Sequence, residues 1–146
     1  MNIYIGSDHA GFELKGKLIP FLKELGHEVE DKGAFSLDPQ DDYPDFIEPV
    51  AKEISKSPED RGIVIGGSGE GEAISADRYP HVRAAVWYGG EMEVVKLSRE
   101  HNDANILSLG GRFISESEAK AAVKLWLETP FSGDERHVRR IEKLDS

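Results

Sequence analysis

Five short apolar or β-branched runs, at residues 2–6, 27–31, 62–66, 82–87 and 105–109, alternate with stretches whose apolar residues recur at helical spacing. Leu14, Leu18, Leu22 and Leu25, with Phe21, form one such stripe, and Ile47, Val50, Ala51 and Ile54 a second. Val94, Val95 and Leu97 begin a third. Ala119, Ala122, Val123 and Trp126 form a fourth, opened by the capping box Ser115…Glu118 and closed at Thr129-Pro130. Strands separated by helices pair in parallel, because a parallel partner requires a long crossover. The pattern predicts an α/β fold: a three-layer α/β/α sandwich around a five-stranded, mainly parallel sheet. Pro20 and Pro49 fall inside two helical stripes and predict distortions there. Residues 134–144 read as a last helix or extended arm. The stretch 34–45 is a long connection, so residues 1–146 form a single domain, with about 131–146 as a C-terminal arm.

The charge balance narrows the partners. A net charge of −10 argues against nucleic acid and anionic membranes, which need a basic surface. No apolar run approaches the roughly 20 residues of a membrane span. The N-terminus lacks a basic stretch followed by an apolar one, so the expected location is the cytoplasm. The absence of cysteine excludes disulfides, thiolate metal sites and a cysteine nucleophile. Against this acidic background Arg136, His137, Arg139, Arg140 and Lys143 cluster near the chain end. In a helix Arg136 and Arg140 share a face with His137 beside them, an arrangement suited to a phosphate dianion of this chain or of a second subunit. A solvated helix face explains the same residues without a ligand.

The most chemical segment follows the third run: Gly66-Gly67-Ser68-Gly69-Glu70-Gly71-Glu72 leads into the helical-looking Ala73–Ala76. Its glycine spacing is not that of a dinucleotide fingerprint, and no Gly-Lys-Ser/Thr follows, so it is no P-loop. What remains is a cradle of backbone N–H groups for an oxyanion, or a tight turn. Glu72 brings a carboxylate to that loop. The helix dipole would lower its pKa, whereas burial would raise it and suit it to act as a base. Glu70 is expected to face solvent.

In a parallel sheet, ligands bind beyond the carboxyl ends of the strands. That geometry gathers the loops after the first, third and fifth strands: Ser7-Asp8-His9-Ala10-Gly11, the glycine loop, and Gly110-Gly111-Arg112. Asp8 reads as a helix N-cap, and His9 beside it as a candidate for acid–base or anion-binding duty. His101, at the end of the third stripe, fits a helix C-terminus. Asp8, His9, His101 and Asp103 show no metal-ligand spacing, so no metal or other cofactor is expected. The residues alone describe an α/β enzyme acting by proton transfer on a small anionic metabolite.

Taken together, these segments resemble the ribose-5-phosphate isomerase B family, which includes allose- and galactose-6-phosphate isomerases. The resemblance rests on residues 6–12, Asp42-Tyr43-Pro44, residues 66–72, residues 98–105, Gly110-Gly111-Arg112 and residues 136–140. It implies a Rossmann-like sandwich and a homodimer, sometimes paired into tetramers, with active sites at the subunit interface. It also implies a metal-free aldose–ketose isomerisation of ribose 5-phosphate through a cis-enediolate. A hexose 6-phosphate substrate is the nearest alternative, and a non-catalytic sugar-phosphate sensor is a further one. Many members carry a cysteine base at the position of Gly66. This sequence is similar instead to a subgroup that uses a glutamate at the position of Glu72.

The roles implied by the resemblance follow residue by residue. Glu72 moves the proton between C2 and C1. Backbone N–H groups around Gly67, Gly69, Glu70 and Gly71 stabilise the enediolate, and Ser68 bonds a reacting hydroxyl. His101 and Asp8 assist ring opening, and Asn102 steadies negative charge. His9, Arg112, Arg136, His137 and Arg140 hold the phosphate. His101, Asn102 and Arg112 are expected from the second subunit.

Overall fold

A computed structural model describes all 146 residues. The strands are β1 (Asn2–Ser7), β2 (Glu28–Asp31), β3 (Arg61–Gly66), β4 (Ala84–Trp87) and β5 (Ile106–Gly110). The helices are α1 (Phe12–Glu24), α2 (Pro44–Lys56), α3 (Glu70–Ala76), α4 (Glu93–Glu100), α5 (Glu116–Glu128) and α6 (Glu135–Leu144), with a 3₁₀ turn at His9–Gly11. The strand order is β2-β1-β3-β5-β4, and every pairing is parallel. Each predicted run became a strand, with ends displaced by one or two residues.

Side chains along a strand alternate between the two faces of a sheet. Ile63 and Ile65 of β3 enter one core with Ile3, Ile5, Leu107 and Leu109, packed against Leu18 and Leu22 of α1 and Trp126 of α5. Val64 points the other way, into a second core with Ile47, Val50, Ala51 and Ile54 of α2. Two cores, one on each face of the sheet, make the three-layer sandwich.

The expected proline distortions did not break either helix: α1 runs through Pro20 and α2 through Pro49. A proline inside a helix costs about 3 kcal/mol, and each fully buried aliphatic side chain returns about 1.5–3 kcal/mol. Leu18 and Leu22 are fully buried around Pro20, as are Ile47, Val50, Ala51 and Ile54 around Pro49. Burial of the stripe therefore outweighs the missing hydrogen bond.

Beyond β2 the chain keeps its pairing with β1. Ser7 N–H donates to the Gly33 carbonyl (2.8 Å) and Ala34 N–H to the Ser7 carbonyl (2.7 Å). This steers the connection from β2 to α2 across the carboxyl end of β1. No helix is long and apolar enough to cross a membrane.

Candidate active site

The chain crosses from β1 to β2 on one side and then returns to fill the other side, where β3, β5 and β4 lie in that order across the sheet. The crevice where the strand order reverses lies beyond the carboxyl ends of β1 and β3. Asp8, His9, the glycine loop and Arg112 meet there. The β3–β5 pairing continues past both strands: Gly111 N–H donates to the Gly66 carbonyl (2.8 Å) and Arg112 N–H to the Gly67 carbonyl (3.1 Å). Arg112 Nη1 lies 3.1 Å from where a Cβ on Gly67 would stand. Arg112 was expected from a second subunit. The paired backbone instead fixes it beside the glycine loop of its own chain.

The loop turns at Gly69, whose φ of +84° is a left-handed conformation natural to glycine. Buried Ser108 of β5 pins that turn by donating from Oγ to the Gly69 carbonyl at 2.7 Å. Ser68 Oγ accepts from Glu70 N–H at 3.2 Å, which leaves its own hydroxyl proton free to donate. Tyr43 leans over the loop, its hydroxyl oxygen 2.8 Å from where a Cβ on Gly71 would stand.

Glu72 sits in the first turn of α3 and is only 4% exposed. Its carboxylate fills the space directly over Gly66, where any Cβ would collide with the carboxylate carbon and both oxygens. Burial pushes the Glu72 pKa up, and the nearby Asp8 charge adds to this. The amide N–H groups of Glu72 and Gly69 pull it partly back. Sequence left burial and helix dipole in competition; α3 is two turns long, and burial wins. Glu70 is exposed, as expected from alternation in the loop.

Asp8 is the expected cap: Oδ1 accepts from Ala10 N–H at 3.0 Å, while the residue stays 7% exposed. His9 is held from outside every motif noticed in the sequence. Asp41, in the connection before α2, contacts His9 Nδ1 at 2.7 Å and accepts from His9 N–H at 3.2 Å. Asp8, His9 and Asp41 place ligand-type atoms within 4.8 Å of one another. The Nδ1 contact with Asp41 has hydrogen-bond geometry, so the trio is a histidine–carboxylate pair beside a capping carboxylate.

The remaining candidates lie elsewhere. His101 and Asn102 follow α4 and precede β5, so they sit at the amino ends of the strands. About 13 Å of β5 separates that end from Gly110. His137 of α6 stacks on His101, ring centroids 4.4 Å apart, which places the arm at the same end. Burial, then the neighbouring His101, lower the His137 pKa. Arg136 and Arg140 are exposed on the same helix. Buried Arg99 organises this end. It donates to the Thr129 carbonyl (3.1 Å), the Ala104 carbonyl (2.7 Å) and Asp103 Oδ1 (2.7 Å), tying the His101-Asn102 turn to the start of the arm. A cleft of ≈ 720 Å³ opens beside it, lined by residues that include Tyr79, Arg83, Asn102, Leu144 and Asp145.

The candidate residues therefore divide into two groups at opposite ends of the sheet. The carboxyl end carries Asp8, His9, Ser68, Glu72, Arg112 and the loop amides. The amino end carries His101, Asn102, Arg136, His137 and Arg140. Sequence reading missed Asp41, Ser108 and the placement of Tyr43. Asp41 lies in an irregular acidic connection and Ser108 in an otherwise apolar strand, so neither has a local signature, and the motif holding Tyr43 does not say where its ring goes.

Known proteins match this arrangement along nearly its whole length. The family model for Ribose/Galactose Isomerase matches residues 3–144. Ribose-5-phosphate isomerase B of Mycolicibacterium paratuberculosis is 46% identical over 99% of this chain and 89% of its own. The crystal structure of ribose-5-phosphate isomerase B from Mycoplasma genitalium with bound ribulose-5-phosphate superposes with a TM-score of 0.93 at 39% identity, covering 98% of this chain and 93% of that one. The enzyme from Thermotoga maritima gives a TM-score of 0.90 at 44% identity, covering 99% and 97%. With the fold, the glycine loop and this similarity in agreement, the chain belongs to the ribose/galactose isomerase family.

Proposed function

We infer that the chain is an aldose–ketose isomerase that interconverts ribose 5-phosphate and ribulose 5-phosphate by proton transfer through a cis-enediolate. The observation that carries the mechanism is the Glu72 carboxylate, buried over Gly66 beside a loop of backbone N–H groups. A relative that binds ribulose-5-phosphate supports the substrate. Glu72 takes the C2 proton of the open-chain aldose, and the C2 electrons pass to the C1 carbonyl, giving an enediolate. Loop amides at Gly67, Gly69, Glu70 and Gly71 stabilise the oxygen that gains charge. Glu72 returns the proton to C1 while the O2 proton passes to O1, which closes the C2 carbonyl and leaves a C1 hydroxyl, with Ser68 bonded to the reacting hydroxyl. A pKa raised by burial suits a carboxylate to this exchange, since a proton taken too weakly cannot be moved.

A second subunit supplies the other half in this reading. Its His101 end faces the glycine loop, where His101 and Asp8 assist ring opening and Asn102 steadies the developing charge. Arg136 and Arg140 of the arm join His9 and Arg112 around the phosphate. His137 adds a neutral donor, in keeping with its lowered pKa.

The deciding assay measures turnover of ribose 5-phosphate and allose 6-phosphate in excess EDTA. Turnover of the pentose phosphate with EDTA present supports the reading. Faster turnover of the hexose phosphate would reassign the substrate, and loss in EDTA would reject the metal-free step. Arg140→Ala should raise KM for the phosphosugar roughly tenfold with kcat little changed; an unchanged KM would remove the arm from the phosphate site. Gly66→Ala should displace the Glu72 carboxylate and lower kcat by about 10²-fold. Wild-type turnover in that variant would show that the carboxylate position does not matter.

A further inference from the structure

The family resemblance leaves Asp41 without a role, and no motif contains it. Its side chain is 7% exposed and lies 32 residues from its only partner, His9. Both of its hydrogen bonds go to that residue, through Oδ1, and the buried Oδ2 has none. A buried carboxylate so sparsely bonded is costly unless a cation faces it. The His9 ring is the group in contact. Its own side chain is 28% exposed, so part of the ring is left open.

We propose that Asp41 is a positioning residue for phosphate binding, fixing the His9 imidazole with Nδ1–H on Asp41 and leaving a cationic Nε2–H to meet the substrate phosphate. This rests on the reading of His9 as a phosphate ligand. Three charged groups from three elements face the ring: Asp41 from the β2–α2 connection, Asp8 from the end of β1, and Arg112 from the loop after β5. The Asp41 hydrogen bond raises the His9 pKa most and Asp8 raises it further, against the opposing effects of burial and Arg112. The net direction is upward. His9 is therefore charged over a wider pH range than a free imidazole, and a phosphate dianion meets a cation already oriented. The backbone bond from His9 N–H to the same carboxylate oxygen fixes the loop and the ring together.

Asp41→Asn separates this role from a structural one. The amide oxygen still accepts from Nδ1–H and N–H, but the charge is gone. The difference in KM for ribose 5-phosphate should be smallest at the acid end of the assay range, below the ordinary imidazole value of about 6.5. Near pH 8 the variant should show KM raised roughly tenfold, with kcat unchanged. The His9 ring titration followed by NMR should move to lower pH in the variant. Asp41→Ser, too short to hold the ring, should raise KM at both pH values and move the His9 titration in the same direction. A KM ratio that does not grow with pH, or an unmoved His9 titration, would overturn the proposal. Binding of inorganic phosphate, compared at the two pH values in each protein, does not require turnover. If the wild type binds phosphate but isomerises neither sugar phosphate, the enzymatic reading fails while the Asp41 role stands or falls on the titration.

Discussion

Glu72→Gln is expected to lower kcat by roughly 10³-fold with KM within about threefold of wild type, as for loss of a general base that contributes little to ground-state binding. The substitution is nearly isosteric, so the amide occupies the same space over Gly66, and the loop amides and Ser68 keep their positions. Only the capacity to hold a proton is lost. Stopped-flow or coupled measurement of ribulose 5-phosphate formation checks it, and near-normal turnover would remove Glu72 as the base. The same variant carries an opposite prediction for stability. Burial raises the Glu72 pKa above its ordinary 4.5, so the native state holds this proton more tightly than the unfolded chain does. Ionising the group as pH rises from 4.5 through its raised native value therefore costs stability. Glu72→Gln should melt above wild type at pH 7, with the difference vanishing as pH falls below the unfolded value. An inactive variant that is also more stable marks a group kept for chemistry at the expense of the fold.

The second large effect tests the divided site. Glu72→Gln and His101→Asn should each be nearly inactive alone. Heterodimers carrying one of each, isolated by two different affinity tags, should recover about half of the wild-type activity per dimer, because one of two shared sites then contains both intact residues. The expectation follows from topology. Helix α4 runs antiparallel to the strands and delivers His101 to the amino end of β5, whereas Glu72 follows the carboxyl end of β3. About 13 Å of strand lies between the two ends, so one chain cannot bring its own pair onto one sugar. A heterodimer no more active than either parent would place His101 outside the partner's site. His101→Asn retains a polar side chain beside His137, so its folding is checked by the same melt used for Glu72→Gln.

The sequence made some of this legible and hid the rest for physical reasons. Continuous apolar runs mark strands buried on both faces and period-3.6 stripes mark helices buried on one, so β3, β5, α2 and α5 were readable. The loop 66–72 stood out because glycines and carboxylates without apolar residues serve no core. Pro20 and Pro49 did not end their helices, because local propensity yielded to buried stripes whose value depends on neighbours far along the chain. Asp41 was invisible as a partner of His9, since among several acids in one connection no spacing marks the one that folds inward. Arg112 was placed on the wrong subunit for want of the β3–β5 register, which a linear reading cannot supply. Sequence also set burial against dipole at Glu72, a balance that only the packing around α3 decides.

The Glu72 carboxylate and the vacant Cβ direction of Gly66 occupy a single volume. A side chain gained at 66 while Glu72 stays gives a collision, and Glu72 lost while 66 stays glycine gives a void. Either change alone disturbs that volume, so the two positions should vary as a linked pair among descendants of this fold. In such a lineage, moving the base from one position to the other is a coordinated double exchange, and each single intermediate is a valley that drift must cross.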